Sequence, residues 1–397
     1  MNETRKELNR VFWVLTGFKV GYLLTVLAAV LLWSDPNLGE IARLPQRWPR
    51  HGKPTFANHF APWDAGYYLS LSEAGYTEGD AACAFYPLWP WLMRWFAPVT
   101  GGNHLMAGLL LSNVCSLAAW VLFRRLVARR WGTTAANWSL VFLAVFPGSL
   151  FFQFNYTESL FLLLVLVLWW ALEERRYGWA WLAAGLLPLT RGVGVFAVLP
   201  IAWHALQPAR PWLRLWWRER DCAALLGLPG HEVAGRAWLL AAPLLGWGIY
   251  LALMGYWTGH PFEGFEAQKY WGVHSIGNLW NVPKFIVGLF TPTEWHAFTG
   301  SVLDRCAFLL LLDCLPLLWR LDKGLLVWTY MLGILPAMSG TFTSFTRFAS
   351  CAFPMFIALG VFLSRREWRW PRYGLLSIFV VLHIVLVWRY ANCRWAG

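Results

Sequence analysis

The chain has 397 residues, of which 58% are hydrophobic and 14% are charged, and its formal net charge is +12 at pH 7. Soluble globular proteins carry about 25% charged residues, so this composition excludes an ordinary soluble domain. The basic residues lie in short clusters between apolar runs. This distribution argues against a nucleic-acid partner and is typical of the loops of a helical membrane protein.

The apolar runs predict about eleven membrane-spanning helices in a single polytopic all-α domain over residues 1–397. In chain order the runs cover 12–33, 105–127, 135–152, 157–172, 178–191, 193–207, 237–256, 301–319, 324–338, 347–364 and 373–389. Two shorter stretches, 84–97 and 282–291, are too short or too rich in proline to span. We expect them to be interfacial or re-entrant segments.

The basic clusters orient these helices. With the N-terminus cytoplasmic, every second loop is basic, as the positive-inside rule requires. These inner segments hold Arg5, Lys6 and Arg10; Arg124, Arg125, Arg129 and Arg130; Arg175 and Arg176; Arg210, Arg214, Arg218, Arg220 and Arg236; Arg320 and Lys323; and Arg365, Arg366, Arg369 and Arg372. A miscounted helix would reverse the side of every later cluster, so the alternation supports the count.

The opposite side carries two long loops, predicted at about 34–103 and 257–300. Loops of this length on a compact helical bundle are usually functional, so we expect the chemistry on the extracytoplasmic face. The chain has 27 arginines and 6 lysines, a bias typical of GC-rich bacterial genomes. The expected location is therefore a bacterial cytoplasmic membrane, with the active site facing outward.

Other classes of site lack a motif. The sequence contains no GxxxxGK[ST], no GxGxxG before a strand and no HExxH, so nucleotide chemistry on the inner face is not supported. His51, His59 and His104 have no metal-ligand spacing with cysteines or carboxylates. We therefore expect neither a metal site nor a required cofactor.

The most informative segment of the first outer loop is 59-HFAPWDAGYYLSLSEAGY-76. Pro62 suits the start of a helix, with Asp64 in or near its first turn. Tyr67, Tyr68 and Leu71 then follow at i+3, i+4 and i+7 from Asp64, which predicts an amphipathic helix at the membrane surface. From this pattern alone, Asp64 is either a helix cap or a carboxylate whose basicity the aromatic surroundings tune for proton transfer.

This segment resembles the first-loop motif of the PIG-V type of GPI mannosyltransferase, a family of the GT-C glycosyltransferases. Four more stretches agree with the family in order, so the resemblance spans most of the chain: 84-AFYPLWP-90, 156-YTESLF-161, 265-FEAQKYW-271 and 347-RFASCAFPMFIALG-360. The sequence departs from the family pattern at Pro62, where arginine is frequent.

The resemblance implies a GT-C type helical bundle and an inverting transfer with Asp64 as the general base. The donor would be a polyprenyl-phosphate hexose similar to dolichyl-phosphate mannose, and the acceptor a hydroxyl of a glycan, glycolipid or protein. The departing phosphate needs a cation, and the candidates are Arg347, Arg191 and Lys269. Each has a structural alternative, since an interfacial arginine or lysine also snorkels to the headgroups or binds backbone carbonyls.

Side chains near these groups are candidates for binding substrate. Aromatic and amide groups suit sugar rings and their hydroxyls, although membrane-interface anchoring also explains a tryptophan. Glu158 opens a helix, where capping is an alternative to a role in holding the outer cavity together. The candidate set is Trp63, Tyr67, Tyr68, Glu158, Gln268, Trp271 and His274.

Two other functions remain open on the sequence. A transporter or flippase of lipid-linked sugars would explain ionisable residues near helix breaks, such as Arg191 after Pro188. It would not explain why aromatic and acidic residues concentrate on one face. A non-catalytic scaffold predicts that Asp64 is dispensable.

Overall fold

A computed structural model describes residues 5–33, 48–49, 55–220, 229–271, 282–338 and 342–397. Within these ranges the chain forms helices joined by turns and irregular segments. The extended pairing found there is an isolated bridge between Glu294 and Ser301. The predicted all-α fold is confirmed.

Each apolar run contains an α-helix, and several runs are divided between two or more helical segments. Their bounds are Arg5–Trp33, Asp64–Ala74, Leu88–Phe96, His104–Trp131, Thr133–Val145, Glu158–Glu173, Tyr177–Thr190, Val198–Ala205, Arg210–Glu219, Gly230–Ala237, Ala241–Thr258, Glu263–Glu266, Val282–Phe290, Val302–Leu321, Lys323–Thr329, Leu335–Met338, Phe345–Ala349, Phe353–Leu363 and Arg369–Ala391.

Short 3₁₀ segments and one π segment connect or extend these helices. The 3₁₀ segments are Phe56–Phe60, Ala81–Ala84, Ala97–Thr100, Pro147–Phe152, Gly192–Ala197, Trp238–Leu240, Ala267–Trp271 and Arg366–Trp368. The π segment is Tyr330–Ile334. The 3₁₀ segments over 147–152 and 192–197 follow the helices Thr133–Val145 and Tyr177–Thr190, at the ends of those helices that lie near the candidate site.

Several expected spans are broken helices, so the count of eleven is not confirmed. By length and apolar composition, four of the described helices can cross a membrane, and a fifth is possible if a helix pair bent by 76° forms one span. The run 135–152 is interrupted at Phe146, which is extended before Pro147 (ψ 138°), as a residue preceding proline prefers. The protein is a multi-pass integral membrane protein.

The first helix packs one face on the bundle and leaves the other outward. Leu15, Val26 and Val30 are buried, whereas Trp13 and Leu31 are exposed. A helix that is apolar on both its packed and its exposed face is expected where the exposed face contacts lipid. This helix therefore forms part of the lipid-facing surface.

The helix Asp64–Ala74 differs from its expectation. An interfacial helix would bury one face, yet residues 65–72 are all buried. The outer segments pack over it, and Tyr67 stacks on Phe85 with ring centroids 4.8 Å apart. The first-loop helix is thus an internal element, and its N-terminus opens onto a cavity.

Candidate active site

Asp64 is the first residue of its helix, and the backbone before it is unusual. Trp63 has φ 57°, a left-handed conformation that is uncommon for a bulky residue. The Trp63 carbonyl still accepts the first turn bond, from the Gly66 N–H at 3.0 Å. The Asp64 carboxylate is directed to Arg347, whose Nη1 lies 2.6 Å from Asp64 Oδ2.

Arg347 lies on the short helix Phe345–Ala349, which begins after a left-handed Ser344 (φ 57°). Its guanidinium lies 5.5 Å from the ring centroids of both Phe151 and Tyr156. The segment carrying Phe151 comes this close because residue 148 is glycine: a Cβ there would lie 2.1 Å from the Thr346 carbonyl oxygen. The planar guanidinium is thus stacked among aromatic rings, a geometry that lysine cannot reproduce.

A buried carboxylate fixes the same short helix from behind. Asp304 Oδ1 accepts the backbone N–H of Thr346 at 2.6 Å, and Asp304 is fully buried. A charged acceptor at a helix start binds an N–H that would otherwise lack a partner. Asp304 therefore holds the residue next to Arg347 in place.

Four charged side chains form a continuous chain of ion pairs. After the Asp64–Arg347 pair, Arg347 Nε lies 3.2 Å from Glu158 Oε1, and Arg191 Nη1 donates to the same oxygen at 2.7 Å. The order is Asp64, Arg347, Glu158, Arg191. Two acids and two bases leave this chain formally neutral, with Asp64 at one end and Arg191 at the other.

Because these side chains are buried, their ion pairs have a strong effect on the local electrostatics. The side chains of Asp64, Arg347 and Arg191 are 11–15% exposed, and Glu158 is 1% exposed. Burial by itself lowers the pKa of Arg347, but the carboxylates of Asp64 and Glu158 outweigh it and raise that pKa above its ordinary value. Arg347 is therefore a permanent cation in the site.

Asp64, Arg191 and Arg347 open onto one cavity of about 690 Å³. Its wall is mainly apolar and includes eleven aromatic residues, Tyr68, Phe85, Tyr86, Phe161, Phe196, Trp247, Phe265, Trp271, Phe298, Phe348 and Trp395. A cavity of about 300–1000 Å³ with apolar walls and a few convergent polar groups is typical of a small-molecule site. Here the polar groups are a carboxylate and two guanidinium groups.

Three of the seven candidate substrate-binding residues line this cavity. Tyr68 lines it, with its hydroxyl 3.4 Å from Thr157 Oγ1. Burial, and then the nearby Asp64 carboxylate, raise the pKa of Tyr68, so its phenol stays protonated. Gln268 and Trp271 also line the cavity, and Gln268 Nε2 donates to the Ala84 carbonyl at 3.2 Å. Tyr67 supports the wall from behind, edge-on to Trp271 at 5.0 Å.

Three candidates are placed differently. Lys269 is exposed, its ammonium lies 5.3 Å from the Tyr270 ring, and it is not among the cavity-lining residues, so it is not brought to the arginines. Trp63 precedes Asp64 in the chain, and its indole N–H donates to the Arg394 carbonyl at 3.3 Å. His274 lies outside the described residues.

The sequence analysis missed Asp304 and Trp395. Asp304 carried a signal, because an acidic residue inside an apolar helix is expensive in a membrane and is a functional candidate by default. No sequence signal marked Trp395 as functional, because a tryptophan after a final apolar helix is expected at the headgroup level.

One group of side chains has the donor types of a metal site. The ligand atoms of His260, Glu263 and Glu266 lie within 4.8 Å of one another. His260 and Glu266 are exposed, and Glu263 accepts the Gly79 N–H at 2.8 Å. This contact joins the second outer loop to the first.

Comparison with known proteins decides the family. Residues 10–211, more than half of the chain, match the mannosyltransferase (PIG-V) family. The chain belongs to this family. The matched part contains Asp64, Glu158 and Arg191, three of the four ion-paired residues. A search of the curated proteins finds no match.

Solved structures with a similar course of the chain are distant in sequence. ArnT from Cupriavidus metallidurans, bound to undecaprenyl phosphate, is 17% identical, with 92% of this chain and 63% of that chain covered and a TM-score of 0.46. The apo oligosaccharyltransferase of Archaeoglobus fulgidus is 12% identical, with 98% and 56% covered and a TM-score of 0.47. The protein thus covers less than two thirds of the length of either structure.

Proposed function

We propose that the protein is an inverting GT-C hexosyltransferase that moves a hexose, most simply mannose, from a polyprenyl-phosphate donor to an acceptor hydroxyl. The observation that carries this proposal is the shared cavity of Asp64, Arg347 and Arg191. A glycosyl transfer from a lipid phosphate needs a base for the acceptor and cations for the leaving group, and the cavity has both. Membership of the mannosyltransferase (PIG-V) family supports mannose as the hexose.

In the proposed step, the acceptor oxygen attacks the anomeric carbon from the face opposite the phosphate. Its proton passes to the Asp64 carboxylate as the new C–O bond forms. The bond between the anomeric carbon and the phosphate oxygen breaks, and its electron pair leaves with the polyprenyl phosphate. General-base assistance is worth about 10²–10⁴-fold in rate, and electrostatic stabilisation of developing charge is of similar or larger size.

The ion-pair chain suggests how the donor is received. Arg347 and Arg191 are held by Asp64 and Glu158 before any phosphate arrives. A phosphate that takes hydrogen bonds from Arg347 competes with Asp64 for the same guanidinium, and it leaves the carboxylate available to the acceptor. Binding of the donor phosphate to Arg347 thereby frees the Asp64 carboxylate from its ion pair.

The proposed setting is the extracytoplasmic face of a bacterial cytoplasmic membrane. The alternation of basic loops supports this orientation, and Asp64 belongs to the first of the two loops predicted on the opposite side. The lipid tail of the donor would lie along the apolar part of the wall, with its sugar in the cavity. The acceptor is a hydroxyl of a glycan, glycolipid or protein, and no required cofactor is proposed.

Purified full-length protein with polyprenyl-phosphate [14C]mannose and a panel of acceptors tests this function. Asp64→Asn should reduce transfer by about 10²–10⁴-fold while the yield of monodisperse protein is unchanged. Glu78→Gln is the matched control, since Glu78 is an exposed acid of the same outer loop. Nuclear magnetic resonance of the product gives the anomeric configuration, which should be inverted relative to the donor.

Undiminished transfer by Asp64→Asn would remove Asp64 as the base. Movement of the lipid-linked sugar across vesicles without transfer would replace the enzyme by a flippase. Transfer with retention of configuration would overturn the single-displacement step.

A further inference from the structure

Residues 391–397 are packed between the two outer loops at the cavity. A His59 ring nitrogen lies 2.5 Å from the Ala391 carbonyl oxygen, and the Trp63 indole N–H donates to the Arg394 carbonyl at 3.3 Å. Arg389 Nε donates to the Trp395 carbonyl at 2.5 Å. These hydrogen bonds fix the backbone of the segment on both sides of residue 393.

The segment places the indole of Trp395 in the cavity wall. The ring is edge-on to Trp63, with centroids 5.2 Å apart at 79°, and edge-on to Phe298 at 4.9 Å and 75°. Trp395 and Asp64 line the same cavity. The indole of Trp395 therefore contacts the residue before Asp64 and lines the same cavity as that carboxylate.

The indole N–H of Trp395 is buried and lacks a hydrogen-bond partner among the described residues. Trp271 lines the same cavity, and its indole N–H is also buried without a hydrogen-bond partner among the described residues. Buried indole N–H groups usually find a partner. Both residues line the cavity, so a turn of either indole would present its N–H to an incoming group that carries acceptor oxygens.

The order of the ion-pair chain separates the two substrates. Arg191 and Arg347 are the cations for the donor phosphate, and Asp64 stands at the opposite end from Arg191. In the proposed reaction, the group that approaches Asp64 is the acceptor hydroxyl. A side chain held against Trp63 is therefore placed to contact the acceptor rather than the donor phosphate.

We propose that Trp395, held between Trp63 and Phe298, forms an acceptor subsite that binds a hydroxylated ring such as a pyranose. The apolar face of the indole packs on the C–H surface of the ring, and the N–H donates to one of its oxygens. The ring is thereby oriented with a neighbouring hydroxyl at Asp64. This subsite rests on the proposed transferase function and adds the residue that selects the acceptor.

The test uses the purified full-length protein, polyprenyl-phosphate mannose as donor and octyl α-mannopyranoside as the acceptor probe. Trp395→Phe keeps an aromatic ring and removes the N–H, and Trp395→Ala removes both. Trp395→Phe should raise the KM for the acceptor about fivefold to tenfold, which is the loss expected for one hydrogen bond. Trp395→Ala should raise it further. The KM for the donor should stay within twofold of wild type.

Trp370→Phe is the control, because Trp370 is 73% exposed and should change neither KM. If Trp395→Ala does not fold, Trp395→Phe decides the question, since it keeps most of the ring contacts. An unchanged acceptor KM in Trp395→Phe overturns the subsite, and so does a raised donor KM with a normal acceptor KM.

Binding measured without turnover separates this proposal from the transferase function. Saturation-transfer difference spectra of octyl α-mannopyranoside should show binding to wild type and weaker binding to Trp395→Phe. If wild type transfers no mannose but binds the probe through Trp395, the transferase proposal fails and the subsite stands. Equal binding to both proteins, or none to wild type, overturns the subsite.

Discussion

Arg347 Nη1 lies 2.6 Å from Asp64 Oδ2, although 283 residues separate the two in the chain. In the motif that resembles the PIG-V family, Pro62, two residues before Asp64, stands where arginine is frequent. In this protein the cation that contacts the aspartate comes from the helix Phe345–Ala349. The same guanidinium contacts Glu158, so a single side chain links the proposed base to the rest of the charged cluster.

Arg347→Lys should weaken donor binding and catalysis together. A lysine ammonium cannot keep the contacts of Nη1 and Nε at once, and it loses the planar stacking on Phe151 and Tyr156. We expect kcat/KM for the donor to fall about 10²–10³-fold, measured from initial rates at varied donor concentration. Arg366→Lys, at an exposed position, should retain wild-type values, and an unchanged donor KM in Arg347→Lys would contradict the assignment.

Glu158→Gln should destabilise the protein more than it impairs donor binding. Glu158 Oε1 is shared by Arg191 and Arg347, and its loss leaves a buried excess positive charge. Breaking a buried ion pair from one side costs about 3–5 kcal/mol, so the thermal unfolding midpoint should fall by several degrees. Glu78→Gln serves as the exposed control. A normal midpoint with a strongly raised donor KM would instead make Glu158 a substrate-contacting residue.

Lys269→Ala should leave the reaction unchanged. Lys269 is exposed, and its ammonium lies over the Tyr270 ring. Because it does not line the cavity with the two arginines, we expect donor KM and kcat within twofold of wild type. A donor KM raised more than tenfold would return Lys269 to the phosphate site.

Acid should destabilise the outer loops through His296. This side chain is 1% exposed and bonds Ser301, and burial, followed by the charge of Arg389, lowers the pKa of His296 from 6.5 to about 4. The unfolded chain therefore binds this proton at a higher pH than the folded protein. Stability is full above about pH 6.5 and falls between pH 6.5 and 4, by on the order of 3 kcal/mol in total.

Thermal midpoints from pH 7.5 to 4.5 measure this dependence. His296→Gln cannot take up the proton and should show a shallower decline than wild type. His260→Gln, at an exposed position, should follow the wild-type curve. Identical pH dependence in wild type and His296→Gln would remove His296 as the cause.

Chelation should not reduce transfer. The proposed leaving phosphate meets Arg347 and Arg191 in the cavity, and permanent guanidinium cations can stabilise that charge. We expect the rate with 5 mM EDTA to stay within twofold of the untreated rate. A loss that Mg²⁺ or Mn²⁺ restores would contradict this expectation and would make His260, Glu263 and Glu266 the first residues to substitute.

The prediction that Trp63 and Asp64 lie on the outer side rests on local properties of the sequence. Hydropathy and the alternation of basic loops depend on composition within windows of about 20 residues, and the ordered motifs added the family. The same windows did not show where a span is broken. A run such as 135–152 is continuously apolar, yet its helix ends at Val145 before Pro147. Periodicity also suggested a surface helix at Asp64–Ala74, because it could not show that outer segments cover both faces.

Sequence alone determined that this is a multi-pass all-α membrane protein of the PIG-V family and pointed to Asp64, Arg191 and Arg347 as its charged candidates. Only the tertiary structure decided which charged side chains are in contact. Asp64 pairs with Arg347, and both Arg347 and Arg191 pair with Glu158. Lys269 lies over the Tyr270 ring, away from this group. Pairing across hundreds of residues depends on how helices pack and where loops fold back, and no local pattern encodes that geometry. For the same reason Trp395 entered the proposed site only through its contacts with Trp63 and Phe298.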